Sequence, residues 1–202
     1  MSLAVVIPTF NRFEKLANCI ASVEAQVTDF PVRIHAIEDV DHLMAFGVWN
    51  KFLKENPGTN VAYICDDTVL RPNCLQAAWN ALTKLNMDGL VGFHQANIQG
   101  KSGTSQSAMG IIGTKFADRY PGRQVFCPLY TRFVADDELG QYARKLGKFI
   151  FCTEAQLDHY HPAHYKDLVD ETHNLVREPL AVTRDRNLHK KRKAENRLWP
   201  VS

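Results

Sequence analysis

The sequence predicts an α/β fold, with a mostly parallel central sheet and helices on both faces. Three observations carry that expectation. Short apolar runs alternate with segments of helical periodicity, the pattern that builds βαβ units. The first run is unbroken rather than alternating, as a strand covered on both faces requires. The chain of 202 residues is long enough for one well-buried core and too short for two independent catalytic modules.

Leu3 to Ile7 is the first strand, closed by Pro8. Phe13 to Gln26 places Leu16, Cys19, Ile20 and Val23 three and four apart, which gives a helix with one apolar face. Val32 to Ile37 is a second strand ending at Glu38 and Asp39, and His42 to Lys54 is a helix stopped by Asn56, Pro57 and Gly58. Val61 to Cys65 runs into Asp66, Asp67 and Thr68, before Pro72 and a helix from Asn73 to Leu85. Gly89 to Phe93 is a fourth strand, and the polar, glycine-rich stretch 97–107 reads as a loop that is either an active-site cover or poorly ordered. Ala108 to Gly113 resumes structure and leads into a short helix. Asp136 to Leu146 is an amphipathic helix with acids first and Arg144 and Lys145 last, the polarity that suits the helix dipole, and Gly147 stops it. Lys148 to Cys152 is a further strand. Residues 1–165 form the expected catalytic domain, and 166–202 a basic helical extension packed on it or trailing from it.

Composition excludes disordered, collagen-like and disulfide-stapled classes. Five scattered cysteines with no CxxC argue against a zinc knuckle. No apolar run is long enough to span a membrane, and the start lacks a secretory signal, so a cytoplasmic location is expected. The net charge of +2 hides an asymmetry: residues 184–197 hold seven Lys or Arg and two acids, and the body is mildly acidic. Such a segment would contact nucleic acid or an anionic surface, or is simply a solvated helix or frayed end, which the lack of interleaved aromatics favours.

Ligands of an open parallel sheet collect beyond the carboxyl ends of its strands, so acids at those ends are singled out. Asp66 and Asp67 repel one another and need a cation or strong donors nearby. A hard divalent ion such as Mg2+ or Mn2+, with positions left for substrate phosphates, satisfies them, and so does a turn or helix cap. Asp136 and Asp137 open a helix, where acids are common caps, and a carboxylate there would also accept a proton from an attacking hydroxyl. His159 and His161 point the same way on an extended backbone, with His164 close behind, and one of them would complete an Asp-based metal site. Strand one ends in Pro8, Thr9, Phe10, Asn11 and Arg12, a loop suited to a base or ribose. Walker, GxGxxG, GxSxG and HExxH signatures are absent.

Taken in order, these segments resemble the GT-A glycosyltransferases, in particular the inverting family 2, over residues 3–165. VVIPTFNR is similar to that family's strand-one signature, and IHAIEDVD carries its paired acids. YICDDTVLRPNCL resembles its DxD region with Cys65 in the first acidic position, FVADDELGQYARKLGKFIF its catalytic-base motif, and LDHYHP a late histidine motif. DETH and RDRNLHKKR are similar to the tails of small phage-type members. The resemblance implies a GT-A fold and inverting transfer of a sugar from a nucleoside diphosphate sugar, a UDP-sugar first of all, to a hydroxyl of a glycan, a protein or a modified DNA base. It assigns Asp39 to the uracil or ribose, Asp66 to the ribose, Asp67 with His159 or His161 to Mn2+ or Mg2+, and Asp136, alternatively Asp137, to the base. The alternatives are an idle GT-A-like shell that binds through its basic tail, and a nucleotidyltransferase or phosphohydrolase working through Asp66 and Asp67.

Overall fold

The computed structural model describes residues 1–98, 107–131, 133–161, 165 and 179–200. In chain order the elements are β1 (Leu3–Thr9), α1 (Phe13–Glu24), β2 (Val32–Glu38), α2 (Met44–Glu55), β3 (Asn60–Tyr63), β4 (Thr68–Leu70), α3 (Cys74–Lys84), β5 (Leu90–Gln95), β6 (Gly110–Ile112), α4 (Thr114–Ala117), α5 (Ala135–Lys145), β7 (Phe149–His159) and α6 (Pro179–Ala194). A single 3-10 turn, Pro121–Arg123, lies between α4 and α5.

The seven strands form one sheet in the order β2-β1-β3-β6-β5-β7-β4. β1 pairs in parallel with β2 and β3, and β5 with β7. β6 runs antiparallel between β3 and β5, and β4 runs antiparallel along β7. The architecture is α/β as expected, and the sheet is mixed rather than mostly parallel. The reason lies in the short strands: parallel neighbours are joined by long crossovers, whereas β4 and β6 are three-residue strands that run antiparallel beside β7 and between β3 and β5.

β1 explains the two-sided core. Leu3, Val5 and Ile7 face one layer with α1 and α3, while Ala4 and Val6 face the other with α2, α4 and α5. Burial on both faces is what its unbroken apolar run requires. The strand continues past Pro8 to Thr9. The ring nitrogen of Pro8 points to the β3 side, where the ladder has already ended at Val6 and Tyr63, so no hydrogen bond is forgone.

Two elements differ from the sequence expectation in ways that matter for the site, and the position of a third matters as well. The segment after Asp67 is not only a turn but enters β4. β7 runs on to His159 instead of stopping at Cys152, bending through a register shift opposite Phe93 and His94. The basic C-terminal segment is a docked helix, with Leu188 and Trp199 packed on the α2/α5 layer. Most of the expected loop 97–107, and the segment joining β7 to α6, lie outside the described residues. Among the described residues no helix is long and apolar enough to cross a membrane.

Candidate active site

β1 and β3 deliver their carboxyl ends side by side, and the chain leaves β3 through Cys65, Asp66 and Asp67 before β4 begins. Both carboxylates are buried. The Thr9 hydroxyl donates to Asp66 Oδ2 at 2.9 Å, and Arg12 Nη1 donates to Asp66 Oδ1 at 2.9 Å while lying 3.9 Å from Asp67 Oδ2. Burial pushes the Asp66 carboxyl above its ordinary range, with Arg12 pulling the other way. Two residues of the loop expected to line a base or ribose, Thr9 and Arg12, thus serve as the partners of Asp66. Pro8 is buried, and Asn11 is exposed with φ +53°.

Asp67 meets its partner because β4 pairs antiparallel with β7. Thr68 stands opposite His159, and the Tyr160 N–H donates to the Asp67 carbonyl at 2.9 Å. His159 Nε2 therefore lies 3.2 Å from Asp67 Oδ1. Burial opposes ionisation of Asp67, but His159, Arg12 and His161 outweigh it and hold the carboxyl well below the usual carboxylate range. The other face of His159 is fixed: Nδ1 lies 2.8 Å from Gln95 Oε1, and its backbone N–H donates to Asn97 Oδ1 at 2.8 Å. With Nδ1 facing Gln95, Nε2 is the nitrogen turned toward the carboxylate. The His161 ring lies 5.2 Å from that of His159. His164 lies outside the described residues.

This arrangement tests whether a metal fits. The Nε2 of His159 and a carboxylate oxygen of Asp67 lie 3.2 Å apart, and either a proton on the imidazole or a cation between the two atoms satisfies both. One carboxylate oxygen, one imidazole nitrogen and the oxygens of a bound diphosphate make a donor set that suits Mn2+ or Mg2+. Among the described residues no three His, Cys, Asp or Glu side chains are gathered closely enough to hold a metal by themselves. Asp67 and His159 would form a two-residue site that substrate oxygens complete.

The second acidic region opens α5. Val134, immediately before the helix, has φ +63°, a conformation a β-branched residue rarely adopts. Asp136 follows two residues later and is half-buried, while Asp137 is exposed. Burial, with the neighbouring charge of Asp137, pushes the Asp136 carboxyl up to about 7. The start of the helix is tied to the end of β3: the Tyr63 hydroxyl donates to the Ser107 carbonyl at 2.7 Å, and the Ser107 hydroxyl donates to the Asp136 carbonyl at 2.6 Å. The tie needs Gly140, since a Cβ there would stand 2.1 Å from Ser107 Oγ.

Asp39 has a different occupation. Its Oδ1 and Oδ2 accept the backbone N–H groups of Leu43 and Met44 at 2.7 and 2.8 Å, capping the start of α2. It borders a small cleft of about 200 Å³ with Glu38, Lys51 and Phe52. A larger cleft of about 680 Å³ opens beside it, between His42, Met44, Leu129, Tyr130, Thr131 and Arg184, and Asp66, Asp67 and His159 are not among its walls.

Periodicity did not point to the residues that anchor α6. Glu138 is fully buried, accepts bonds from Arg192 at 3.1 Å and from the Tyr130 hydroxyl, and also takes the Trp199 N–H at 2.5 Å. Asp185 Oδ2 accepts the N–H groups of Thr131 and Phe133 at 2.9 and 3.1 Å. Gln95 was likewise unmarked. The acids among these were visible only as helix charge, and their partners lie more than fifty residues away in most cases.

No family model matches the chain, and no curated protein matches it. Solved structures do. Staphylococcus aureus TarS residues 1–349 in complex with UDP-GlcNAc superposes with a TM-score of 0.60 at 13% identity, covering 87% of this chain and 64% of that one. A longer TarS structure gives 0.57 at 13%, covering 83% of this chain and 38% of TarS. A mutant of Drosophila β1,4-galactosyltransferase 7, in complex with manganese, UDP-Gal and xylobiose, gives 0.56 at 14%, with 88% and 79% covered. The chain thus spans little more than a third of the longer TarS chain and under two thirds of its 1–349 fragment. At these identities the likeness is one of fold: an α/β architecture with a mixed central sheet, shared with GT-A glycosyltransferase structures.

Proposed function

We propose that the protein is a metal-dependent glycosyltransferase that moves a hexosyl group from a nucleoside diphosphate sugar, a UDP-sugar first of all, to an acceptor hydroxyl with inversion. The observation that carries the reading is the Asp67–His159 contact at 3.2 Å, built at the carboxyl ends of the sheet beside the Thr9–Asp66–Arg12 cluster. The fold likeness to proteins whose structures hold UDP, UDP-GlcNAc or manganese with UDP-Gal supports the choice of donor. Fold by itself hosts many functions, so the site must bear the argument.

In this reading Asp67 and His159 hold Mn2+ or Mg2+, with His161 at hand. When bound there, such an ion would supply positive charge to offset that of the departing diphosphate. Asp66, kept in place by Thr9 and Arg12, faces the ribose. Asp39 holds the start of α2 and borders the cleft where the base would lie. Asp136 takes the proton from the acceptor hydroxyl as its oxygen attacks the anomeric carbon. One displacement, with the acceptor on the face opposite the leaving group, inverts the configuration. Asp136 suits the base role better than Asp137 because its environment already disfavours the charged form, so a proton taken up there is held near neutral pH.

A second reading has its own observation. The outer surface of α6 exposes Arg184, Arg186, Lys190, Lys191 and Lys193, while Arg192 and Asp185 are turned inward. Such a surface suits an anionic partner, whether an acceptor carrying phosphates, as DNA does, or one held by an idle shell. A screen of nucleotide sugars for metal-dependent donor breakdown separates the two. Release of intact UDP from one donor in the presence of Mn2+, abolished in Asp136→Asn, supports the transferase. Salt-sensitive nucleic-acid binding with no donor breakdown, and no effect of UDP on melting, supports the shell. Release of monophosphate or pyrophosphate instead identifies a phosphohydrolase or nucleotidyltransferase.

A further inference from the structure

We infer that the C-terminal helix positions the base: Asp185 of α6 clamps the strained elbow before α5, and Asp136 is held in its working place through that clamp. The inference rests on the role proposed for Asp136 and adds to it a positioning residue far away in the chain. Asp185 is completely buried, which is uncommon for an acid and calls for strong partners. Its Oδ2 receives two backbone N–H groups at once, those of Thr131 and Phe133, and its Oδ1 takes Arg184 Nη2 at 3.2 Å. The two N–H groups belong to residues three and one places before Val134, and the helix begins one residue after it.

Val134 gives the clamp its meaning. A β-branched side chain at φ +63° is strained and persists only where the surroundings over-determine it. The surroundings here come from two directions. Asp185 fixes the main chain ahead of the elbow, and Ser107 holds the Asp136 carbonyl behind it. A second anchor prevents α6 from drifting: Arg192, seven residues on and therefore on the same helix face, pairs with Glu138 of α5, which also takes the Trp199 N–H. The helix thus grips both the elbow and the first turn of α5. An unstrained elbow would present Asp136 in another direction, and a misplacement of about 1 Å at a reacting group can cost roughly 10²-fold in rate.

The test combines turnover with hydrogen exchange. Asp185→Ala removes the acceptor, and we expect kcat to fall about 10²-fold while the KM for the nucleotide sugar stays within about twofold. Exchange of the 131–137 segment should quicken by about tenfold or more, with β1 and β3 unchanged. Asp185→Asn keeps one oxygen for the two N–H groups and should restore most of the turnover. Val134→Gly added to Asp185→Ala offers a second route if Asp185→Ala does not fold, because glycine takes the positive φ without cost. The double variant should fold, with turnover still about 10²-fold down and 131–137 still exchanging faster, since nothing then holds the elbow in one conformation. Unchanged exchange in Asp185→Ala overturns the clamp. Faster exchange with unchanged kcat, or KM and melting temperature falling together with kcat, overturns the positioning role. A wild-type protein that breaks down no nucleotide sugar defeats the transferase reading instead, and exchange still decides the clamp.

Discussion

Asp67 and Asp136 are two acids at the carboxyl side of one sheet, and their surroundings drive them in opposite directions. Asp67 is buried against His159 with Arg12 and His161 nearby, and stays ionised far below neutral pH. Burial and the like charge of Asp137 outweigh the backbone N–H groups that Asp136 accepts, and its carboxyl rises to about 7. Burial alone therefore decides neither role. What separates them is whether a cationic partner accompanies the burial. Carboxyls pushed apart in this way divide the labour of a site, one as a permanent anion for a cation and one as an exchanger of protons.

The most forceful attack on that division is Asp136→Asn. Turnover should fall by about 10²–10⁴-fold while the affinity for UDP with Mn2+ changes by less than about twofold, as read by calorimetry and donor-breakdown rates. Equal losses in Asp137→Asn and none in Asp136→Asn would exchange the two residues. Next comes Gln95→Leu, which frees the Nδ1 side of His159. Affinity for Mn2+ in the presence of UDP should drop about 10-fold or more, with turnover recovered at saturating metal. Unaltered metal affinity would mean that Gln95 does not orient the imidazole.

The proton balance supplies a third prediction with a definite sign. Asp136 binds a proton more tightly in the folded than in the unfolded chain, so its contribution to stability is full below about pH 4 and is lost as pH rises through about 7. Asp67 acts oppositely: its contribution is present above the ordinary carboxylate range and is lost as pH falls below it. Asp136→Asn should accordingly be more stable than wild type at pH 8, by about 1–2 kcal/mol or a few degrees of melting temperature, and indistinguishable near pH 4. Turnover by wild type should rise with pH through about 7 and then level. A melting advantage of the variant at pH 4 rather than pH 8 would contradict the raised carboxyl. The smallest effect belongs to Asp39→Ala, which loses about 1 kcal/mol through the uncapped start of α2, measured by denaturant unfolding.

How much of this could be read beforehand follows the range of the interactions. β1 was legible because its doubly buried run is local, and so were α3 and α5, whose apolar faces repeat within the segment. The second half of β7, TEAQLDH, was not, since its strand character comes from pairing with a β4 only three residues long. The parallel bias failed at the same two short strands. At the site, Asp67 and Asp136 stood out by their neighbours in sequence, while the histidine expected beside Asp67 stayed open between His159 and His161. The grip of α6 was invisible. Its buried groups are Asp185 and Arg192, charged residues that in a sequence read as solvated surface, and only partners such as Thr131, Phe133 and Glu138 turn them inward. The capping of α2 by Asp39 was legible in principle from an acid placed before a helix, but the paired acids drew attention to ligand binding instead.

Titration calorimetry of UDP into the intact protein, with and without Mn2+, on wild type and on His159→Ala, tests the central claim most directly. The account predicts that Mn2+ tightens UDP binding by about tenfold or more in wild type, and that the enhancement disappears in His159→Ala while the metal-free affinity is retained. Identical UDP affinity with and without Mn2+ in wild type, or an enhancement that survives the loss of His159, would contradict it.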